Sequence, residues 1–440
     1  MDHSMCGSGA SWCARTDRIF DVEGMHVLDA SVIGNQLVLD VETEPALAGC
    51  SSCGEVAVGH GRRVHRLHDV PCFGRPVLIR WRKRVWRCAD PACPAGTFSE
   101  EHPYARRRAK LTARAVAWAT DALSHDDTTV SALARHLGVD WHTAWSAIRV
   151  EATERTGRPE RTAGVKTLGV DEHIWRPSMK RRERAVTIMV DLTRDEQGRL
   201  QARLLDAVPG RSGTAYATWL KEQGLEFTVQ VEHAALDPFR GYANAIRDEL
   251  PEAVAVLDAF HVVKLGSQAL DEVRRRVQQH TLRRRGHKND PLYRIRRTLM
   301  TGREHLTPQQ TARLNRHLEA GDPNWEVTIA WSCYQELRGI YNATSPQTGR
   351  RLAEKVIDTF KTCPIPEIAR LGRTLRAWRE QVLAYFATGG VSNGGTEAIN
   401  LIIEKTRRLA HGFRNFTNYR LRILLAASGD RPYRRGPNHA

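Results

Sequence analysis

The stretch VKTLGVDEHIW, residues 165–175, determines how the larger part of this 440-residue chain is expected to fold. Its apolar residues form a short run that ends in two acids, Asp171 and Glu172. A short apolar run bounded by polar residues is typical of a buried strand. The sequence therefore predicts a strand that carries a carboxylate at its end.

The residues that follow predict an alternating series of strands and helices. RAVTIMVDLTRDEQGRLQARLLDAV indicates two strands joined by a turn at Asp195 to Gly198. The next segments are predicted as helix (SGTAYATWLKEQG), strand (LEFTVQVEHAALD), helix (PFRGYANAIRDEL), and a strand that runs into a helix (PEAVAVLDAFHVVKL). Three strands, helix, strand, helix, strand and helix is the order expected of an RNase H-like core, a mixed sheet flanked by helices.

In such a sheet, an acid on the first strand and an acid at the end of the fourth strand can lie side by side. Asp171 and Asp237 hold those positions. A third carboxylate from a later helix would complete a site for two divalent cations, and magnesium or manganese prefers such oxygen ligands. Each acid also has a simpler explanation, since Asp171 could be a surface acid and Asp237 or Asp258 could cap a helix.

Near the end of the chain, SNGGTEAINLIIEKTRR (residues 392–408) places Glu397 in the first turn of a predicted helix. The acid could merely stabilise the positive end of the helix dipole, or it could be a metal ligand. Asn400 and Glu404 share roughly the same helix face. The same helix continues with Lys405, Arg407 and Arg408, whose positive charges would suit contact with the phosphates of a DNA backbone.

The segment from Arg274 to about Thr388 predicts a basic, all-helical insertion within the catalytic fold. Its arginine clusters, which include Arg274 and Arg275, would hold DNA through phosphate contacts. Trp331 and Trp378 are predicted to lie in the helical core.

The first hundred residues contain two cysteine pairs with the spacing of metal-binding knuckles. Cys50 and Cys53 lie in CSSC, and Cys88 and Cys93 lie in CADPAC. Four thiolates suit tetrahedral zinc. Between the pairs, RPVLIRWRKRVWRC alternates apolar and basic residues, which predicts a strand and hence a zinc ribbon.

The other N-terminal cysteines have different expected roles. Cys72 is predicted to be a small buried residue. Cys6 and Cys13 lie in a glycine- and serine-rich start and are either extra ligands or part of a disordered tail. Nine cysteines without a secretory signal argue against a disulfide scaffold.

The strand between the knuckles suits contact with phosphates, because arginine forks alternate with tryptophans. The tryptophans could instead form the small core of the ribbon. The residues concerned are Arg80, Arg82, Arg84 and Arg87, with Trp81 and Trp86.

A helix-turn-helix is predicted after the ribbon. SALARHLGVDWHTAWSAI indicates a short helix, a turn at Gly138 and a second helix that begins near Asp140. An ordinary helical hairpin would give the same pattern. The residues expected to face outward at the start of the second helix are Trp141, His142, Thr143 and Ser146.

The bulk composition agrees with a nucleic-acid-binding protein of several domains. The net charge of +16 suggests a polyanionic partner, and the hydrophobic content of 41% supports globular folding. No apolar run of about 18 residues is present, so no membrane span is expected. A cytoplasmic protein is the default expectation.

Together these stretches resemble the ISL-three (ISL3) family of insertion-sequence transposases, a bacterial group of DDE transposases. The resemblance covers about Arg18 to Ala427. It is carried by CSSC…CADPAC with FSEEHP, the helix-turn-helix, GVDE, the strand-end acid with GYANAI, LDAFHV, and SNGGTEAIN with RLAHGFRNFTNYRLRILL. Ala398 stands where a glycine commonly follows the glutamate.

The resemblance implies catalytic acids at Asp171, Asp237 and Glu397, and a role near the metal site for Asp258 and His261. Whether Asp237 or Asp258 is the second metal ligand stays open, although the strand order favours Asp237. It also implies metal-dependent (Mg²⁺ or Mn²⁺) cleavage and strand transfer on double-stranded DNA, at terminal inverted repeats and target sites. A homodimer or larger synaptic assembly on the bacterial nucleoid is expected.

The predicted organisation is a multidomain α/β protein. Its parts are a flexible N-terminus (1–17), a zinc-ribbon module (18–103), a helix-turn-helix (104–155), the first part of the core (165–273), the helical insertion (274–388), the last catalytic helix with a C-terminal helical segment (389–428), and a tail (429–440). Two other functions share parts of this pattern. They are a DNA-binding regulator derived from a transposase, and a structure-selective RNase H-like nuclease.

Overall fold

The computed structural model describes residues 14–177, 180 and 183–429. The chain forms two compact units. The first contains the described residues up to Arg158 together with Lys405–Ala426, and the second contains Pro159–Glu404 and Ala427–Gly429. Cys6 and Cys13 and nearly all of the two predicted terminal tails lie outside the described residues. No helix in the described ranges has the length and hydropathy that a membrane crossing requires.

The first unit begins with a helix and a five-stranded sheet. These elements are α1 (Ala14–Phe20), β1 (Met25–Ile33), β2 (Gln36–Thr43), β3 (Val58–Cys72), β4 (Arg75–Arg87) and β5 (Thr97–Ser99). The strand order is β1-β2-β4-β3, with β5 paired to β4. β2 and β4 are parallel, and the other pairs are antiparallel. The strand predicted between the two cysteine pairs is confirmed as β4.

Alternation along β4 gives the sheet one apolar face. Val77, Ile79 and Trp81 are buried on that face together with Leu67 of β3. Trp81 is therefore a core residue, as one of the two explanations for this strand proposed. The arginines that alternate with these residues lie on the opposite face.

A buried carboxylate ties the sheet to the residues that follow it. Asp69 of β3 accepts hydrogen bonds from the hydroxyls of Tyr104 and Thr112 at 2.6 Å and from Nε of Arg114 at 3.0 Å. Burial opposes the charge of Asp69. The hydrogen bonds from Arg114, Thr112 and Tyr104 nevertheless hold its pKa below the usual value. The sheet and the helices beyond it are thus joined by one charged cluster.

Three helices follow, α2 (Ala113–His125), α3 (Val130–Leu137) and α4 (Trp141–Thr156). Side chains of Thr112, Thr129 and Asp140 cap their N-termini by accepting a backbone N–H. Gly138 has φ of 68°, the left-handed conformation that ends α3 and starts the turn. The predicted short helix, glycine turn and second helix therefore all form.

The second unit is built on another five-stranded sheet. Its strands are β6 (Thr167–Ile174), β7 (Ala185–Asp191), β8 (Arg203–Pro209), β9 (His233–Leu236) and β10 (Val254–Leu257). The strand order is β10-β9-β6-β7-β8. β6 pairs antiparallel with β7, and β7 antiparallel with β8, whereas β6–β9 and β9–β10 are parallel. β6 is the central strand, and its residues from Thr167 to Asp171 are buried.

Helices surround this sheet and fill the rest of the second unit. They are α5 (Gly213–Gln230), α6 (Arg240–Glu249), α7 (Ala259–Leu282), α8 (Pro291–Arg294), α9 (Pro308–Gly321), α10 (Glu326–Tyr341), α11 (Pro346–Phe360), α12 (Pro366–Ala377), α13 (Arg379–Ala387) and α14 (Gly394–Leu409). The unit boundary falls within α14, after Glu404.

One predicted strand is shorter than expected. LEFTVQVEHAALD was predicted as a strand throughout, but residues 225–230 continue α5 after a kink at Gly224, where φ is 81°. The ring of Phe227, after the kink, packs edge-on against Trp219, which precedes the kink, with ring centroids 5.6 Å apart. Burial of this aromatic pair outweighs the local preference of the β-branched residues for a strand.

The chain between β10 and α14 is mostly helical, and the first of its helices begins earlier than the predicted segment. The expected boundary at Arg274 falls inside α7, which continues without a break to Leu282. Trp331 and Trp378 are buried in the helical core, as predicted. The helices from α8 to α13 share one hydrophobic core with α5, α6, α7 and the sheet.

The last helix of the described chain, α15 (Phe416–Ala426), belongs to the first unit. Leu421 and Leu425 enter the core that Leu133 and Ile148 form in the helix-turn-helix. The hydroxyl of Ser124 donates to the carbonyl of Leu425 at 2.8 Å. The sequence had assigned this segment to the C-terminal end of the catalytic region.

Replacing Asp69 by Asn should destabilise the first unit by about 2–3 kcal/mol, because Arg114 loses the charged acceptor of several hydrogen bonds. Thermal unfolding followed by tryptophan fluorescence measures the change. In the unmodified chain, this contribution is present above the ordinary aspartate pKa and is lost as the pH falls through the lowered one. Asp29→Asn, on the exposed part of β1, is the matched control, and equal stability of the two variants would contradict the prediction.

Candidate active site and metal centres

Two acids lie side by side where β6 and β9 run parallel. The register pairs Val170 with Leu236, and Asp171 and Asp237 are the next residues along each chain. Neighbouring strands lie about 4.8 Å apart, so the backbones of the two acids are adjacent. Asp171 is only 7% exposed, whereas Asp237 is partly open to solvent.

The N-terminus of α14 is fastened to the same strand. The side-chain amide of Asn393 donates to the carbonyl of Val170 at 3.2 Å, and the hydroxyl of Thr396 donates to Oδ1 of Asn393 at 2.5 Å. One turn further, Nδ2 of Asn400 donates to Oδ2 of Asp171 at 2.7 Å. Glu397 lies between these anchors and is exposed.

Asp171 experiences the charges of both other acids. Burial, with smaller contributions from the negative charges of Asp237 and Glu397, raises the pKa of Asp171 to about 7. The backbone N–H of Glu172, 2.7 Å from Oδ1 of Asp171, and the charge of His261 act in the opposite direction. A cation among the three carboxylates would relieve this crowding of like charges.

Asp258 and His261 form a second layer behind Asp237. Oδ1 of Asp258 accepts the backbone N–H of Asn393 at 2.8 Å, and Oδ2 accepts the backbone N–H of His261 at 3.1 Å. Nδ1 of His261 lies 3.0 Å from Oδ2 of Asp258 and 2.9 Å from Oδ1 of Asp237. Asp258 is 1% exposed and uses both oxygens, so Asp237 is the acid of this pair that can face a ligand.

The charges in this layer support each other. Burial disfavours the charged imidazole, but Asp237 and Asp258 together raise the pKa of His261 to about 10. Burial likewise opposes ionisation of Asp258, yet His261 and the backbone N–H of Asn393 lower its pKa. The imidazolium thus bridges two carboxylates and partly balances the negative charge of the site.

A glycine lets α14 approach the strand. A Cβ atom at Gly169 would lie 2.6 Å from the hydroxyl of Thr396 and from Cδ1 of Leu192, and 2.7 Å from Oδ1 of Asn393. Sequence reasoning had not singled out Gly169 or Asn393. Both residues lie in the stretches GVDE and SNGGTE. Neither could be identified there, because each one contacts a residue more than two hundred positions away in sequence.

The four predicted zinc ligands come together in the first unit. The sulfurs of Cys50, Cys53, Cys88 and Cys93 all lie within 4.8 Å of one another. Cys50 is 3.7 Å from Cys93, and Cys53 is 3.4 Å from Cys88. Tetrahedral zinc with bonds of about 2.3 Å needs sulfurs roughly 3.8 Å apart, so the donor set fits this metal.

Backbone groups support the first knuckle. The backbone N–H groups of Cys53 and Ser52 lower the pKa of Cys50 to about 7, which favours the thiolate that binds metal. Cys72 lies outside the cluster and is only partly buried, against the expectation that it would be a core residue. The backbone turns from β3 to β4 immediately after it, which leaves one side of Cys72 uncovered.

The start of α4 presents side chains outward, as expected. Trp141, His142 and Ser146 are exposed, while Thr143 is half-buried and donates its hydroxyl to Asp140 at 2.6 Å. A cleft of about 560 Å³ separates this helix from the segment at residues 106–111. Its rim carries Arg107, Arg108 and Lys110, which sequence reasoning missed although the run RRRAK was visible.

Two of the arginines predicted to contact DNA form contacts within the fold. Arg84 donates to Oγ1 of Thr43 at 2.6 Å and forms an ion pair with Glu100, so little of its side chain is exposed. Arg274 is 5% exposed and donates to Asp271 at 2.7 Å. These contacts with Thr43, Glu100 and Asp271 come from other turns or strands, so the density of charge along the sequence cannot reveal them.

Other predicted cations stay accessible. Arg82 is half exposed on the polar face of β4. Arg275 is exposed and lies 3.0 Å from Asp271. Lys405 is exposed and paired with Asp127 within the first unit, and Arg408 is exposed while Arg407 is half-buried. A contact of these residues with DNA stays a prediction.

Three family comparisons cover most of the chain. Residues 168–423 match a family described as transposase. Residues 100–149 match the helix-turn-helix domain of transposase family ISL3. Residues 46–93 match the zinc finger of the transposases of IS204, IS1001, IS1096 and IS1165. The predicted zinc ribbon and helix-turn-helix are thereby confirmed.

Two curated transposases are similar to this chain over most of its length. The chain is 27% identical to the transposase for insertion sequence element IS1557 of Mycobacterium tuberculosis, with 88% of this chain and 87% of the relative covered. It is 25% identical to the transposase for IS1001 of Bordetella parapertussis, with 87% and 89% covered. Among solved structures, the Drosophila P element transposase strand transfer complex aligns with a TM-score of 0.39 and 10% identity, over 71% of this chain and 91% of that one.

Replacing Gly169 by Ala should displace Asn393 and Thr396, and with them Glu397, because the added methyl group has no space. We expect a loss of about 1–3 kcal/mol in stability and a marked loss of metal-dependent DNA cleavage. Gly394→Ala is the control, since its Cβ would meet nothing closer than 3.7 Å. Cleavage by the Gly169 variant at the rate of the Gly394 variant would show that the close packing is dispensable.

Replacing Cys88 by Ser should abolish binding of one zinc ion per chain and lower the melting temperature of the first unit, because the ion that joins the two knuckles loses one of its four thiolate ligands. Elemental analysis of the purified chain gives the zinc content. Cys72→Ser, outside the cluster, should retain zinc. A full zinc content in the Cys88 variant would refute the tetrathiolate site.

Proposed function

The chain belongs to the ISL3 family of transposases and is a DDE-type DNA transposase, and we propose that Asp171, Asp237 and Glu397 are its catalytic acids. One observation carries this assignment. The parallel register of β6 and β9 sets two acids side by side, and the bond from Asn400 to Asp171 brings the helix of the third acid to them.

The core that holds these acids is RNase H-like in this proposal. The strand order supports this, since it runs β8-β7-β6-β9-β10. The pairs β8–β7 and β7–β6 are antiparallel, and the pairs β6–β9 and β9–β10 are parallel. The helices from α8 to α13 then form an insertion between the fifth strand with its helix α7 and the last catalytic helix, α14.

The three acids would hold divalent cations, magnesium or manganese, which stabilise the attacking and leaving oxygens of an in-line phosphoryl displacement. The residues fit such ions. Like charges crowd at Asp171, and Oδ1 of Asn400 is buried without a hydrogen-bond donor beside it.

The neighbouring groups of the chain orient the acids. Asn400 and the backbone N–H of Glu172 each bind one oxygen of Asp171, which fixes the plane of that carboxylate. His261, held in turn by Asp258, fixes Asp237. Glu397 has no such restraint on its exposed carboxylate and can adjust to the DNA phosphate.

The first unit would bind the terminal inverted repeats of the insertion sequence. α4 is the helix suited to the major groove, and Arg107, Arg108 and Lys110 suit phosphates beside it. Two DNA ends must be brought together before strand transfer, so we expect a dimer or larger assembly bound to bacterial genomic DNA. The comparisons with transposases do not favour a regulator without catalysis.

Replacing Asp171 by Asn, or Glu397 by Gln, should abolish cleavage and strand transfer and leave DNA-end binding within about twofold, because the acids act in chemistry and α4 in recognition. A gel assay with magnesium on the flanking DNA measures cleavage, and titration of a labelled end measures binding. Glu226→Gln, an exposed acid on α5, is the control and should cleave normally. Normal cleavage by the Glu397 variant would refute the triad.

A further inference from the structure

An exposed aromatic side chain stands beside the candidate catalytic acids. Phe260, in the first turn of α7, is 57% exposed. Its ring lies against His261, with ring centroids 5.5 Å apart. His261 touches Asp237, so only one side chain separates the phenyl ring from a proposed metal ligand. Burial in a core does not explain a phenylalanine at this position.

A stripe of exposed side chains runs along α7 and begins at Phe260. From this residue to Gln279, the exposed positions are Phe260, Lys264, Gln268, Arg275 and Gln279, which share one helix face. The stripe is about 28 Å long. The nearest acids on α7, Asp271 and Glu272, are partly buried and form ion pairs with arginines, among them Arg275 of the stripe.

The amine of Lys264 lies 5.8 Å from the centre of the Phe260 ring, one helical turn along the stripe. An aromatic ring next to cations is the arrangement that binds unpaired nucleic-acid strands, because bases stack on the ring and phosphates meet the cations. A protein partner with an apolar surface would gain little from the cationic and amide side chains that follow. The charge of the stripe therefore favours a DNA strand.

The recessed position of Asp171 adds a reason for unpairing. This acid is 7% exposed, so the phosphate to be cut must enter a depression that an undistorted duplex fills poorly. A nucleotide that leaves the stack can bring its phosphate closer to the acids. The base of that nucleotide then needs a new surface on which to stack.

We propose that Phe260 is a stacking site for a nucleobase that leaves the duplex next to the scissile phosphate, with the following strand lying along the Lys264 side of α7. This inference rests on the proposed catalytic function. It assigns Phe260 a contact with the substrate, while the acids carry the chemistry.

Phe260→Ala and Phe260→Leu should both cleave about 5- to 150-fold more slowly than the unmodified chain in single-turnover assays, as loss of one base-stacking contact predicts. Phe260→Trp should restore most of the rate, because it keeps an aromatic face. Leu225→Ala, an exposed apolar residue on α5, is the matched control and should cleave normally.

Removing the base instead of the ring tests the same contact from the DNA side. A series of DNA ends, each with a single abasic site near the cleavage point, is cut by the unmodified chain and by Phe260→Ala. At one position the two rates should become equal, because a missing base cannot stack on either protein. This equality is not expected for a residue that only supports the fold.

Three results would overturn the inference. The first is a normal rate for Phe260→Leu on intact DNA. The second is a constant rate difference at every abasic position. The third is a combination of two observations: Phe260→Ala changes its oligomeric state, as measured by light scattering, and its cleavage rate falls by the same factor on all DNA ends. That combination would assign the ring to a protein contact. If the unmodified chain did not cleave with magnesium, the proposed function itself would fail.

Discussion

The second unit depends on one buried asparagine, which uses both its side-chain amide and its backbone N–H. Asn393 is 2% exposed, and it binds the strand of the first acid and the buried carboxylate behind the second acid at once. Its partners, Val170 and Asp258, lie 223 and 135 residues away in sequence. Because each buried polar group must be paired, displacing Asn393 would leave several of them unsatisfied. The position of Glu397, four residues later, follows from that of Asn393.

The electrostatics of the site follow from this arrangement. Burial is the main cost of a charged Asp171, and repulsion from Asp237 and, less strongly, from Glu397 adds to it. The fold offsets part of that cost with one histidine held between Asp237 and Asp258. Asp258 uses both of its oxygens in contacts within the fold, and this supports Asp237 as the metal ligand in the proposed site. The remaining negative charge is what a bound cation would balance.

Much of this organisation could be predicted because it is encoded locally. Cysteine spacing, a glycine turn after α3 and an acid after a short apolar strand each need only a few adjacent residues. The end of α5 could not be predicted, because Phe227 prefers Trp219 to the strand geometry of its neighbours. Arg84 and Arg274 were assigned to DNA from charge alone, yet Glu100 and Asp271 bind them inside the fold. Asn393 gains its meaning only from distant partners.

The helical segment between β10 and α14 connects two parts of the chain, and its packing also sets the position at which α14 begins. Closing a flexible loop costs free energy that rises only slowly with length, so many residues can be accommodated between β10 and α14. Flexible ends would nevertheless leave Glu397 poorly placed. Gly266 of α7 prevents this, since it lets α10 pack so closely that a Cβ there would lie 2.5 Å from Leu337. α13 in turn packs against β10, so the chain enters and leaves the segment at positions fixed by packing. The segment therefore joins β10 to α14 through packed helices, which supports the proposed position of Glu397.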